Sequence, residues 1–340
     1  MNILETIEKL SLINGTSGDE SGVCEFIRSQ LPADVTSETD SLGNLIVTKK
    51  GLKPPKNKIM LCAHMDEVGF IVTHITSGGM LKLAAVGGII PAVVLGRQLR
   101  FKSGIVGVIG GKPIHLLKDD EKDAQPKIED LFIDIGVSTR EEAERLVAPG
   151  DCAYFVSEFF RFGDGFIKGK ALDDRVGCAI MLELLKKELP YDCTFVFTVQ
   201  EEVGTRGALA AAYNVKPDMA IVLETTTACD IAGVEGEKQV CRLGEGVVVS
   251  FMDRATIYDR ELFRLAFDTA EENGISHQTK TVVAGGNDSG AIHKAVGGIR
   301  TLALSLPCRY LHSPACVINE KDLYATLALA EKMTEKMAAL

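Results

Sequence analysis

Five short segments carry histidine or carboxylate side chains in arrangements that could bind a metal ion or move a proton. The first, Ala63-His64-Met65-Asp66-Glu67, directly follows the apolar run 59–62. Residues two apart on a strand point to the same side, so Asp66 can hold the His64 ring or share a site with it. The second, Ala171-Leu172-Asp173-Asp174-Arg175-Val176-Gly177, is a paired-Asp turn opening a helical stretch. The third, Val199-Gln200-Glu201-Glu202-Val203-Gly204, ends an apolar run, where adjacent carboxylates are costly unless cations or protons compensate them. Val222-Leu223-Glu224-Thr225 again closes an apolar run with a carboxylate, and Arg309-Tyr310-Leu311-His312-Ser313-Pro314 is a loop with a second histidine.

Taken singly, each segment has an ordinary explanation: a strand-end histidine, a helix-capping Asp pair, a solvated carboxylate. Together they supply what a metal centre needs. Zinc takes imidazole nitrogen and carboxylate oxygen, and a two-ion site needs one carboxylate that bridges both ions. One carboxylate must also stay free as general base, which a Glu-Glu pair can provide. His74, His115, His277 and His293 lie outside this pattern.

The five segments fall where strands of an α/β sheet should end, the edge at which such folds build ligand sites. Strands are expected at 44–49, 59–64, 194–200, 219–224 and 299–304. Helices are expected at 23–31, 174–189, 260–273, 289–295 and from Glu320 onward, after an opening helical stripe of Leu4, Ile7, Leu10 and Leu12. Ser17-Gly18-Asp19-Glu20 reads as a capping box for the helix at 23–31. From about Gly69 the texture changes to short β runs punctuated by glycine, at 70–75, 80–83, 93–95, 98–101 and 105–109. A charged loop at 118–127, a short helix opened by Ser138-Thr139-Arg140-Glu141 and a strand near 152–156 complete this stretch. The expected organisation is an α/β core, residues 1–68 and 163–340, interrupted by a small β domain at 69–162.

Composition bounds the function without naming it. The chain has 340 residues, 46% hydrophobic and 25% charged, as in an ordinary globular protein. A net charge of −10 is the wrong sign for a surface that follows phosphates, so no nucleic-acid partner is expected. No apolar run approaches the roughly 20 residues that span a bilayer, and the first residues lack the basic and apolar regions of a secretory signal. Nine cysteines, without C-x-x-C or zinc-finger spacing and mostly within apolar runs, favour a reducing cytoplasm. The absence of tryptophan argues against a carbohydrate-stacking platform.

AHMDEVGF, GKALDDRVG, VQEEVGTRGA, GGNDSGAI and LSLPCRYLHSP, in this order, resemble the M42 family of metallo-aminopeptidases, which includes glutamyl, leucyl and deblocking enzymes. Some of its members carry a cellulase or endoglucanase label. The resemblance spans nearly the whole chain. It implies an aminopeptidase-type mixed-sheet α/β/α core with an inserted PDZ-like β domain, and two divalent metal ions per subunit, zinc first, with cobalt or manganese as alternatives. By matching motifs, His64, Asp173 and Glu224 would hold one ion, and Asp173, Glu202 and His312 the other. Asp66 would orient the His64 ring. Asp173 is preferred to Asp174 as the bridge because the family's second position is often Asn and Gly177 stands in the matching place. Glu201 would be the general base for a metal-bridging hydroxide that attacks the N-terminal peptide bond.

The resemblance further implies short peptide substrates and a homo-oligomer, commonly a dodecamer, with sites facing an interior chamber and the inserted domain contributing to assembly. Two residues depart from the pattern: Glu224 stands where most members have Asp, and Asn287 replaces the Thr of the usual G-G-T-D. Three rival functions share some of these features. A glycosidase needs two carboxylates flanking a sugar bond rather than a histidine-bearing metal site. A deacylase of N-acyl amino acids would use the same metal chemistry on blocked substrates. A non-catalytic scaffold is opposed by the intact Glu201-Glu202 pair. None of the nine cysteines sits beside an obvious histidine base, which disfavours a thiol nucleophile.

Overall fold

The computed structural model describes residues 1–117 and 124–340. The chain opens with β1 (Val35–Thr39), β2 (Leu45–Lys49) and β3 (Ile59–His64). Next come β4 (Gly69–Ile75), β5 (Leu81–Val86), β6 (Gln98–Phe101), β7 (Val106–Gly110), β8 (Phe132–Asp134) and β9 (Cys152–Phe155). These are followed by β10 (Phe160–Phe162), β11 (Phe166–Gly169), β12 (Cys193–Thr198), β13 (Met219–Thr227), β14 (Val247–Val249), β15 (His277–Thr279), β16 (Arg300–Cys308) and β17 (Cys316–Asn319).

The main sheet has the order β1-β2-β12-β3-β13-β16-β14-β15. Its centre, β12-β3-β13-β16, is parallel, while β2 joins β12 and β14 joins β16 in antiparallel register. Alternation along the central strands decides the layering. Ile59, Leu61 and Ala63 of β3 enter one core, and Met60 and Cys62 enter the other, as a period of two requires. Helices Ile3–Leu12, Leu172–Leu185, Arg260–Glu272 and Glu320–Ala339 cover the first face, and Arg206–Val215 with Ser289–Ile292 covers the second. Each fully buried Leu, Ile or Phe in these layers contributes roughly 1.5–3 kcal/mol, so the sheet edge that carries the polar site rests on a stiff platform. The mixed-sheet α/β/α expectation holds.

Strands β4 to β9 close into a barrel, in the order β4-β5-β8-β7-β6-β9, around a separate core that includes Phe70, Leu81, Leu99, Phe101, Ile133 and Phe155. β10 lies inside the expected 69–162 segment but pairs with β11, which pairs with β17, so its hydrogen bonds belong to the α/β part. No helix of the described residues is long and apolar enough to cross a membrane.

Several elements differ from the expectations. Residues 93–95 form no strand: Pro91 opens a short 3-10 turn, Pro91–Val93, and Val94 alone is buried in the barrel core. Ser17–Glu20 is no capping box. The helix is Ser21–Ser29 with no side-chain cap, and Glu20 instead accepts from the backbone N–H groups of Gly18 and Gln200. Capping boxes form instead at Asn2/Glu5 and at Thr139/Glu142, the latter opening the short helix Arg140–Glu144 that the sequence suggested. The helix expected to reach Leu189 ends at Leu185 with Lys186 as its C-cap, and Pro190 disfavours helical geometry only at Leu189. The charged loop expected at 118–127 lies outside the described residues as far as 123.

Candidate metal centre

Four parallel strands aim their C-terminal ends at one place. His64 is the last residue of β3, Glu201 and Glu202 follow β12, Glu224 lies within β13, and His312 follows β16. β13 pairs Val222 with Cys62, so two residues further along Glu224 comes beside His64. Asp173 and Asp174 arrive from the start of helix Leu172–Leu185, where both keep non-helical backbone angles. Gln200, Tyr310 and His312 hold positive φ, at 57°, 59° and 56°. Such backbone persists only where the surroundings over-determine it, and here it flanks the Glu201-Glu202 pair and His312.

The polar atoms form two triads that share Asp173. His64 Nε2 lies 3.4 Å from Asp173 Oδ1 and 3.5 Å from Glu224 Oε1. His312 Nε2 lies 3.4 Å from Asp173 Oδ2 and 3.3 Å from Glu202 Oε2. These separations are long for hydrogen bonds, whose usual range is about 2.7–3.2 Å. Two ligands bonded at about 2.0–2.1 Å to one tetrahedral ion stand roughly 3.3 Å apart, which is the spacing seen. Asp173 Oδ1 is buried with no hydrogen-bond partner, an orphan that a cation would satisfy. The donor set, one imidazole with two carboxylates for each triad, suits zinc, cobalt or manganese.

Electrostatics tell the same story. Burial pushes Glu202 up to about 8, with Asp173 adding to the rise and His312 opposing it. Burial does the same to Glu224, also to about 8, helped by Asp173 and opposed by His64. Glu201 is raised well above the carboxylate range by burial, with Glu224, Asp288 and Glu202 adding to it and His64 opposing. Burial would depress His312, yet Asp173, Glu202 and the Gly88 carbonyl carry it to about 10. Burial would likewise depress His64, but Glu224, Asp173 and Asp66 lift it well above its ordinary value. Asp173 is held well below the carboxylate range despite burial, by His312 and His64. Negative groups so crowded bind positive charge, as protons or as metal ions.

The surrounding residues fix this geometry. The carbonyl of Asp66 is 3.0 Å from His64 Nδ1, nearer than its carboxylate at 3.4 Å. That carboxylate instead accepts from the N–H groups of Glu201 and Glu202, at 3.0 and 3.1 Å, and from the Ser17 hydroxyl at 2.6 Å. Asp66 therefore positions both the His64 ring and the Glu-Glu turn. Asp288 accepts from the Thr198 hydroxyl at 2.6 Å, and Asn287 holds the turn before it by accepting from Ser289 N–H and contacting Tyr258. Asn287 thus fills its departure from the family pattern with bonds of its own.

Sequence reasoning missed three supports: the Gly88 carbonyl on His312, Ser17 on Asp66, and a buried network beneath the site. In that network Arg175 donates to the carbonyls of Met65, Leu10, Ile13 and Gly15, and Lys170 pairs with Glu67 at 2.6 Å. Its signal was present, since Glu67 stands within AHMDEVGF and Lys170 and Arg175 within GKALDDRVG. His74, His115, His277 and His293 stand outside both triads.

Known proteins resemble this chain over nearly its whole length. Residues 43–329 match the model of the M42 glutamyl aminopeptidase family. The glutamyl aminopeptidase of Lactococcus lactis subsp. cremoris is 32% identical, over 100% of this chain and 99% of that one. An aminopeptidase from the archaeon Desulfurococcus kamchatkensis superposes with a TM-score of 0.93 at 34% identity, covering 98% of this chain and 94% of that one. The TET1 peptidase of Pyrococcus horikoshii, which can assemble into a tetrahedron or a large octahedral shell, gives a TM-score of 0.85 at 34% identity, covering 98% and 99%.

An α/β sheet with histidines and carboxylates gathered at its parallel strand ends is the architecture of a metal-dependent hydrolase. The chain belongs to the M42 family of aminopeptidases, enzymes that hydrolyse peptides from the N-terminus and are metal-dependent in general.

Proposed function

We propose that the chain is a dinuclear metal-dependent aminopeptidase that removes N-terminal residues from short peptides. The observation that carries this reading is the pair of triads joined through Asp173, with nitrogen–oxygen separations of 3.3–3.5 Å. His64, Asp173 and Glu224 would hold one ion, and Asp173, Glu202 and His312 the other, zinc being the first choice and cobalt or manganese the alternatives. Bound there, two divalent ions would supply Lewis acidity, acidifying a water and polarising the scissile carbonyl. Glu201 would accept a proton from the attacking water and return it to the leaving amine. Asp66 keeps the backbone of Glu201 and Glu202 in place through both N–H groups, so base and ligand stay in register. The excess of carboxylates attracts the α-ammonium of a free N-terminus, which explains a preference for chain ends.

In this reading residues 1–68 and 163–340 form the catalytic unit. Residues 69–162, read as a PDZ-like module, contribute to a homo-oligomer, a dodecamer by likeness to the family. Nine free cysteines, six of them buried, support a reducing, cytoplasmic setting.

The test is hydrolysis of aminoacyl-p-nitroanilides, short peptides and N-acylated peptides by metal-stripped protein and by protein reloaded with zinc, cobalt or manganese. Turnover that needs metal and a free N-terminus is expected. Turnover confined to blocked substrates would replace the reading with a deacylase, and cellulose hydrolysis that survives chelation would replace it with a glycosidase.

A further inference from the structure

The two site histidines are held from different parts of the molecule. His64 Nδ1 meets the carbonyl of Asp66, within its own segment. His312 Nδ1 lies 2.7 Å from the carbonyl of Gly88, in the turn between β5 and β6 of the inserted barrel. A carbonyl only accepts, so this bond uses the Nδ1 proton and leaves Nε2 as the nitrogen facing Asp173 and Glu202.

The neighbouring glycine shapes the same wall. Gly87 has φ +85°, and a Cβ there would stand 2.8 Å from Val68 Cγ1 and 3.2 Å from Glu202 Cβ. A Cβ on Gly88 would stand 3.5 Å from His312 Nδ1, an ordinary contact. A second tie reaches the His312 loop just past β9, where the Ser157 hydroxyl donates to the Pro314 carbonyl at 2.6 Å. His312 itself sits at φ 56°, a conformation that needs outside support.

We propose that the Gly87–Gly88 turn of the inserted barrel is a working wall of the Asp173–Glu202–His312 half of the centre. The Gly88 carbonyl selects which nitrogen of His312 faces the ion, and the bare Cα of Gly87 lets the turn close over Glu202. The two halves therefore differ. The His64 half is built by the α/β core alone, and the His312 half is completed by the insertion. This inference rests on the dinuclear reading above.

The experiment measures zinc stoichiometry and affinity by chelator competition and elemental analysis, for the wild type and for Gly87→Ala, Gly88→Ala and His312→Ala, with folding followed by circular dichroism. The wild type is expected to bind two equivalents and His312→Ala one. Gly87→Ala is expected to keep one equivalent at wild-type affinity and to bind the second about 10–100-fold more weakly, the usual loss when an outer support of a ligand is disturbed. Gly88→Ala, which keeps the carbonyl, is expected to bind two. A folded Gly87→Ala that binds both ions normally, or loses both in parallel, overturns the proposal. A wild type that binds no zinc, or a His312→Ala that still binds two, would instead overturn the dinuclear reading beneath it.

Should Gly87→Ala fail to fold, cobalt-substituted wild type supplies the deciding measurement. Its paramagnetic proton spectrum should contain a solvent-exchangeable imidazole N–H signal that disappears in His312→Ala and exchanges slowly. Exchange of that signal as fast as in free imidazole overturns the proposal.

Discussion

Asp173 and Asp174 are adjacent and have opposite electrostatics. Asp173 faces both histidines and is held well below the carboxylate range. Asp174 is raised well above it by burial and by Glu224, accepts from Gly177 N–H, and keeps Oδ2 without a partner. A neutral Asp174 has the shape and charge of asparagine. Asp174→Asn is therefore expected to change kcat by less than about tenfold and to leave metal content unaltered. Asp173→Asn should lose metal from both halves, which elemental analysis would show. Glu201→Gln should retain both ions and lose about 10²–10⁴ in kcat, the share of a general base. Unchanged turnover in that variant would remove Glu201 from the mechanism. Glu202 and Glu224, both near 8 without metal, must release protons when they ligate. Metal affinity should accordingly fall as pH drops below about 8, and titration calorimetry in buffers of different ionisation enthalpy should detect protons released at pH 7. The residues of the two triads were readable in the sequence because histidines and paired carboxylates stand out after apolar runs. The support from Gly88 was not, because a backbone carbonyl leaves no mark in the sequence.

At the scale of elements, the site depends on strand ends held in register from below. Arg175, fully buried, ties the Met65 carbonyl, between His64 and Asp66, to three carbonyls of the segment 10–15, and stands beside the Glu67–Lys170 pair. Removing one member of such a network leaves buried partners unsatisfied. Arg175→Ala should cost about 3–5 kcal/mol in urea unfolding. A loss under about 1 kcal/mol would show that water takes over those carbonyls. The central strands were legible because their apolar runs are continuous, as parallel buried strands are. β1 was not, since its sequence, Val-Thr-Ser-Glu-Thr, is a mostly exposed edge with no apolar face. The helix Arg206–Val215 escaped for another reason: it packs on the sheet through Ala208, Ala211 and Ala212, whose small side chains give a weak periodic signal.

For the whole molecule, the same site links stability to pH. In the metal-free protein Glu202 and Glu224 sit near 8 and Asp288 near 6, above their unfolded values of about 4, so the folded state binds protons more tightly. That contribution is complete below about pH 4 and is lost as pH rises toward 8. His64 and His312 are also raised, so their contribution is present below about 6.5 and is lost as pH rises, for His312 through about 10. All five act in one direction, and the Tm of metal-free protein should fall between about pH 5 and 9. Metal binds only the folded state and should raise Tm by an increment that grows over this window. A metal-free Tm that rises there would contradict the electrostatic account. Anomalous diffraction from zinc-loaded crystals would show whether two ions share Asp173. Two peaks are expected, one within about 2.0–2.2 Å of His64, Asp173 and Glu224, the other equally close to Asp173, Glu202 and His312. A single peak, or peaks away from Asp173, would contradict the dinuclear reading.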